Sequence, residues 1–361
     1  MKINRLQMAV WLALSMPVAM AQAPAPAAPA SAAPAAPTQG PGVQSARDAR
    51  EPQVLATCKH PPAPPTFKLP PGFTPPTGEP QEYSVAGIAG VVAGEEQWKK
   101  IWSVQGNNAD GLVGTDDGGL LIAQNSNSAV VKLDKDGNLA VLFKDTNTGG
   151  ALSMSKKGAL FIVQRGLYPS VWQLRPQRKL LADKYQGDPL DCLGSVINDL
   201  TADSHGGVYF TDGGLYYVDA KGVITKYGED LSTNGIILSP DEKTLYVTNK
   251  DTVVAFDVKS GGALAHQRDF AKLPGAGDGA TIDAQGRLYV TARGKDGVHV
   301  FSLKGEALGD IPTPYPVISV AFGGPGKKTL YAVAETGKSP AQAATILAIP
   351  MIATGYAGRA K

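Results

Sequence analysis

What most constrains this chain is a strand–turn–strand unit that recurs through its middle. Short strand-like runs, at residues 119–124 (GLLIAQ), 207–212 (GVYFTD), 244–249 (TLYVTN) and 287–292 (RLYVTA), each follow a turn built from Gly, Asp or Pro. Those turns are 115–118 (TDDG), 203–206 (DSHG), 239–242 (SPDE) and 283–286 (DAQG). A second strand-like run then follows at 130–133, 215–218, 253–256 and 298–301. Closely and evenly spaced runs of this kind belong to an all-β sandwich, barrel or propeller. Repetition decides among them. Aligning the units gives one equivalent position just before each first strand: Asp110, Gly149, Asn198, Asn234, Asp278 and Ile318. The intervals of 39, 49, 36, 44 and 40 residues suit blades of about 40 to 50 residues, so six units predict a six-bladed β-propeller. Either residues 345–351 or residues 83–102 are expected to close the ring.

The ends of the chain read differently. Lys2 and Arg5, an apolar run from about Met8, and Ala19-Met20-Ala21 form a signal-peptide pattern over residues 1–21, too short for a membrane span. Residues 22–55, rich in Ala and Pro, are expected to be a disordered linker, and residues 56–361 the propeller. No later stretch approaches about 18 uninterrupted apolar residues. The expected location is periplasmic or secreted, and the expected state a monomer. The net charge of +2 comes from the first segment alone: without Lys2 and Arg5, 32 basic residues face 32 acidic ones. With no basic run to meet phosphates, nucleic acid and anionic membrane are poor partners. Export to an oxidising compartment makes a Cys58–Cys192 disulfide the expectation for the two cysteines, and no CxxC supports a redox or zinc motif.

Innermost propeller strands line a central channel, so the six aligned positions form a ring at one mouth. Four of them carry side-chain oxygens: Asp110, Asn198, Asn234 and Asp278. Singly, Asn-Gly and Asp-Gly are ordinary turn dipeptides, and three of these four residues precede Gly. Their agreement at one repeat position is what points to a site. Convergent carboxylate and amide oxygens without Cys or His favour a hard divalent cation, calcium first.

Several stretches resemble the SMP-30/gluconolactonase family: Asn198-Asp199-Leu200, GVYFTD ending at Asp212, TNGI from Thr233, SPD from Ser239 and TLYV from Thr244. So do Asp278-Gly279, IDAQGRLYV from Ile282, VAFGG from Val320 and KTLY from Lys328; the likeness runs from about Ala109 to Tyr331. The resemblance implies a six-bladed propeller and a calcium- or zinc-dependent hydrolase of lactones. It implies Asn234 and Asp278 as metal ligands, Asp278 also as general base, and Asn198 as a ligand of substrate or metal. Asp110 stands where the family more often has Glu, and Ser195-Val196-Ile197 replaces a Ser-Pro pattern before Asn198-Asp199. Asp199 is the second choice for the base. Arg165 and Arg293 follow the second strands of their repeats; either could meet a substrate carboxylate, though an exposed loop position is their simpler reading.

Other chemistries lack their motifs. There is no Gly-x-Ser-x-Gly elbow, Gly326-Lys327-Lys328-Thr329 lacks the first Gly of a phosphate loop, and the four histidines share no metal spacing. His205 and His299 are expected to face solvent. Two functional classes remain: a metal-dependent hydrolase of a small lactone or ester, or a non-catalytic binding module with a structural ion.

Overall fold

The computed structural model describes residues 48–62, 78–293, 295–337, 342–358 and 361. The expected signal peptide and most of the expected linker lie outside the described residues. Among the described residues, six four-stranded antiparallel sheets form the six blades, five of them simple meanders. Their first strands are Leu112–Gly114, Gly149–Met154, Leu200–Ala202, Thr233–Leu238, Gly277–Ile282 and Val317–Gly323. Each touches the first strand of the next blade, and the last touches the first, so they form a closed inner ring.

Ring closure uses both segments expected from the sequence. The sixth blade runs Val317–Gly323, Thr329–Thr336, Ala343–Pro350, and its outer strand is Lys99–Gln105 from the start of the fold. That strand pairs antiparallel with Ala343–Pro350, from Lys99 opposite Ala348 to Gln105 opposite Ala343. The ends of the domain are thereby held by a backbone ladder.

Burial explains the sequence pattern. The second strands, such as Leu120–Gln124, Leu160–Gln164 and Leu288–Ala292, are buried along their whole length because blades pack on both faces. They therefore read as continuous apolar runs rather than strict alternation. Outer strands such as Leu139–Lys144 are largely exposed. The recurring turn aspartates cap the hairpins: Asp203 Oδ1 accepts the N–H groups of His205 (2.7 Å) and Gly207 (2.8 Å), and Asp283 Oδ1 those of Gln285 and Arg287 (both 2.9 Å). His205 is exposed as expected, but His299 is buried, its Nδ1 2.7 Å from Asp310 Oδ1. Alternation within its strand could not show that an outer-strand carboxylate covers it.

At the N-terminal side, Cys58 and Cys192 form the expected disulfide. The linker boundary at residue 55 needs correction. Residues Glu51–Leu55, counted with the linker, form a short helix that buries Val54, and Asp188 accepts the N–H groups of Lys59 and His60 (both 3.0 Å). Among the described residues, no helix is long and apolar enough to cross a membrane.

The disulfide closes a loop of 134 residues. In the chain-entropy picture a loop of that size makes the bridge worth about 2–5 kcal/mol. Cys58→Ser with Cys192→Ser is expected to lower unfolding stability by that amount in denaturant titrations. Unchanged stability would show that the bridge constrains nothing in the unfolded chain.

Candidate functional site

The residues before Gly111, Gly235 and Gly279 are not in hairpin turns; they start or precede inner strands. A Cβ on Gly235 would lie 2.1 Å from the Asp278 carbonyl oxygen, one on Gly111 2.6 Å from Ala151 Cα, and one on Gly279 2.8 Å from the Ile318 carbonyl oxygen. Each contact is with the next blade's inner strand. The glycines permit that approach, and Asp110, Asn234 and Asp278 are set beside it at the channel mouth. The carbonyl of Asn234 also accepts a hydrogen bond from Thr211 Oγ1 of the third blade (2.6 Å).

Arg165 ties three blades together. Its Nη1 donates to Asp110 Oδ2, its Nε to the Ile197 carbonyl (3.1 Å), and its Nη2 to the Asn198 carbonyl (2.6 Å) and Asn198 Oδ1 (3.0 Å). The exposed loop position of the sequence reading is thus corrected: the Arg165 side chain is 11% exposed. The blade-two ring position, Gly149, lacks a side-chain oxygen, and a Cβ there would lie 2.4 Å from Ile162 Cδ1; the next residue makes room for Arg165. A Cβ on Gly150 would lie 2.0 Å from Arg165 Cζ, so the guanidinium fills the space a side chain would need.

Arg293 lies beside Asp278 in the same fifth blade, its Nε 3.6 Å from Asp278 Oδ2 and its side chain 38% exposed. Asp278 is buried, and burial pushes its carboxyl up to about 6; Asp110 and Asp199 push the same way, while Arg293 and Arg165 oppose. A third acid, Glu335, belongs to the same electrostatic group. It is also buried, and burial raises it to about 7, with Arg293 pulling it down and Asp278 and Asp110 pushing it up. Sequence reading missed Glu335. Its signal is a lone charge next to the end of the buried second strand Thr329–Thr336.

Asp199 sits one residue deeper than the ring, and its oxygens are engaged. Oδ1 accepts the Leu200 N–H (2.8 Å), while Oδ2 accepts the Ile236 N–H (3.0 Å) and the Lys361 ammonium. Lys361 Nζ also donates to the Ile236 carbonyl (2.6 Å), and its own carbonyl accepts Thr281 Oγ1. This arrangement joins the third, fourth and fifth blades beneath the mouth.

The ring residues suit a hard cation by their chemistry. All four present oxygen, and the Arg165 guanidinium, bound by both Asp110 and Asn198 Oδ1, occupies the place of a positive charge those two oxygens share. Among the described residues, no three His, Cys, Asp or Glu side chains cluster as metal ligands.

Removing one member of a buried ion pair leaves the other uncompensated, at a cost of about 3–5 kcal/mol. Asp199→Ala is expected to lose stability on that scale in chemical melts, because Lys361 keeps its buried position without its carboxylate. A loss below about 1 kcal/mol would show that Lys361 escapes to solvent.

Comparison with known proteins places the chain in a family. Residues 140–336 match the SMP-30/Gluconolactonase/LRE-like region, a span that takes in Arg165, Asn198, Asn234, Asp278, Arg293 and Glu335 and starts after Asp110. The chain is 30% identical over 245 residues to lactonase drp35 of Staphylococcus saprophyticus, covering 61% of this chain and 74% of that protein. It is 28% identical over 222 residues to a gluconolactonase of Zymomonas mobilis, covering 51% and 60%. A gluconolactonase structure from Xanthomonas campestris superposes with a TM-score of 0.61 at 22% identity, covering 77% of this chain and 98% of that one. Regucalcin from Agrobacterium tumefaciens, described as a calcium-binding protein, gives 0.56 at 18%, covering 68% and 91%. With its family region matched, its relatives aligned and its six blades closed, the chain belongs to the SMP-30/gluconolactonase/LRE-like family.

Proposed function

We propose that this protein is an exported, metal-dependent hydrolase of lactones or related esters, with Asp278 as the base that activates water. The observation that carries this reading is the buried Asp278 carboxyl, raised to about 6 at a channel mouth that also holds Asp110, Asn198, Asn234 and two arginines. A carboxylate with that value is largely ionised at neutral pH and a stronger base than an ordinary Asp. The relatives named lactonase and gluconolactonase support the substrate class.

Asp110, Asn198, Asn234 and Asp278 are the residues to hold a divalent cation, calcium first. When bound, the ion supplies Lewis-acid charge toward a carbonyl oxygen. Asp278 takes a proton from water and returns it to the leaving alkoxide after the ring opens. Arg293, beside Asp278, helps to keep that carboxyl ionised and faces developing negative charge. Arg165 orients Asp110 and Asn198, and its guanidinium is the group to meet the carboxylate that ring opening releases. Asp199, with its oxygens engaged, braces the blades. The Cys58–Cys192 disulfide supports an oxidising compartment, as the periplasmic or secreted location requires.

Turnover of a panel of aldonolactones and aliphatic lactones, with chelator and with added calcium, tests the reading. Asp278→Asn keeps an oxygen ligand but removes the proton acceptor, so turnover at saturating calcium is expected to fall by about 10²-fold or more. Wild-type protein that opens no lactone or ester at any calcium concentration would be a binding module instead.

Metal binding has its own readout. Chelator is expected to lower the melting temperature and calcium to restore it, since a ligand of the native state alone adds stability. A melt indifferent to both removes the ion from the reading.

A further inference from the structure

A second site lies away from the channel axis. The loop after the 3-10 helix Leu190–Leu193 and the outer hairpins of the third blade enclose a cavity of about 280 Å³. Asp212, the last residue of the strand Val208–Asp212, lines it together with Ser195, Tyr216, Lys226, Tyr227 and Asp230. Asp212 is 3% exposed, and among the described residues neither carboxylate oxygen has a side-chain hydrogen-bond partner; the Ser195 N–H is the one donor turned toward it. A buried carboxylate in that state lacks its partner, because desolvation goes uncompensated until a proton or a cation arrives.

The walls say which partner fits. Tyr216 stacks on Phe210 through one face, with ring centroids 5.2 Å apart. The Lys226 ammonium stands 5.9 Å from the Tyr216 ring centroid, although Lys226 is on an exposed outer strand. The aromatic wall therefore already draws an ammonium to the cavity from its rim. We propose that this cavity is a binding site for a small organic cation, a primary ammonium or guanidinium group, seated on Asp212 with Tyr216 against it.

Protonation makes the site pH-dependent. Burial pushes the Asp212 carboxyl up to about 8, Asp191 on the 3-10 helix adds to it, and the Ser195 N–H opposes. The other charged or titratable groups lining the cavity are Tyr216, Tyr227, Lys226 and Asp230. At neutral pH an entering cation must displace the Asp212 proton to solvent, so affinity climbs as pH rises through that value.

Calorimetric titration of the whole protein with methylguanidinium, which stays charged across the range, tests this. Saturable binding is expected at pH 8.5 and about 20-fold weaker binding at pH 6.5, from the proton that must leave. Asp212→Asn, which mimics the protonated carboxyl, is expected to abolish binding, and Lys226→Met to keep or strengthen it by removing an internal competitor. Asp278→Asn at the channel mouth is expected to bind like wild type. The proposal fails if wild type binds nothing at pH 8.5, if affinity is the same at both pH values, or if Asp212→Asn binds as well. Loss of binding in Asp278→Asn, with Asp212→Asn unaffected, would place the cation at the mouth and also overturn it.

Discussion

The structure depends on how closely its inner strands approach one another around the channel. At Gly111, Gly235 and Gly279 a single Cβ would strike the backbone of the next blade, and at Gly114 it would lie 2.2 Å from the Phe322 carbonyl oxygen of the sixth. Three of these contacts follow a ring residue directly, and the fourth joins the first blade to the last. Real Cβ atoms do not sit at such distances from backbone, so a side chain at any of them forces two blades apart. Opening one inter-blade contact strains all six, because the inner strands form a closed circle. The same packing fixes where Asp110, Asn234 and Asp278 stand. Their position is a consequence of closure, and no separate loop is needed to present them.

That placement has an electrostatic consequence. Acids brought inward at the channel mouth lose solvent and gain like-charged neighbours, and both effects oppose ionisation. Asp278 and Glu335 show it in their raised carboxyls. The chain answers with two arginines from the ends of second strands in the second and fifth blades, which face the mouth from opposite sides of the repeat order. A guanidinium suits this role because its fork reaches several oxygens at once and it stays charged. Arg165 uses that fork on Asp110, Ile197 and Asn198, and Gly150 leaves it the room.

The blade count was legible because second strands are buried on both faces and their turns need Asp and Gly, so each repeat carries the same local signature. The ring positions followed from the repeat. The identity of the X-Gly dipeptides did not, since a turn glycine and a glycine flattened against a neighbouring strand look alike in one dimension. Arg165 read as an exposed loop residue because nothing local says whether a long side chain folds inward or out. Glu335 was hidden for a related reason: it ends an apolar run as a single charge, and its neighbours Asp278 and Arg293 come from another blade. Asp199 looked like a spare base because its partner, Lys361, lies 162 residues away in sequence. Long-range pairings of this kind, including Lys99–Gln105 with Ala343–Pro350, leave no periodic trace.

One departure from the family pattern draws these threads together. Ser195-Val196-Ile197 leads into Asn198 from a loop that Cys192 anchors, and the disulfide to Cys58 holds that loop from the N-terminal side. The Ile197 and Asn198 carbonyls at the loop's end are two of the acceptors that aim Arg165. Arg165 in turn meets Asp110, the acid that is one methylene shorter than the family's usual Glu. A shorter acid at that position reaches less far, and Arg165 Nη1 donates to its Oδ2. The staple, the altered loop, the arginine and the shortened acid therefore form one connected unit. A change at Cys58, outside the channel, has a physical route to the charge balance at its mouth.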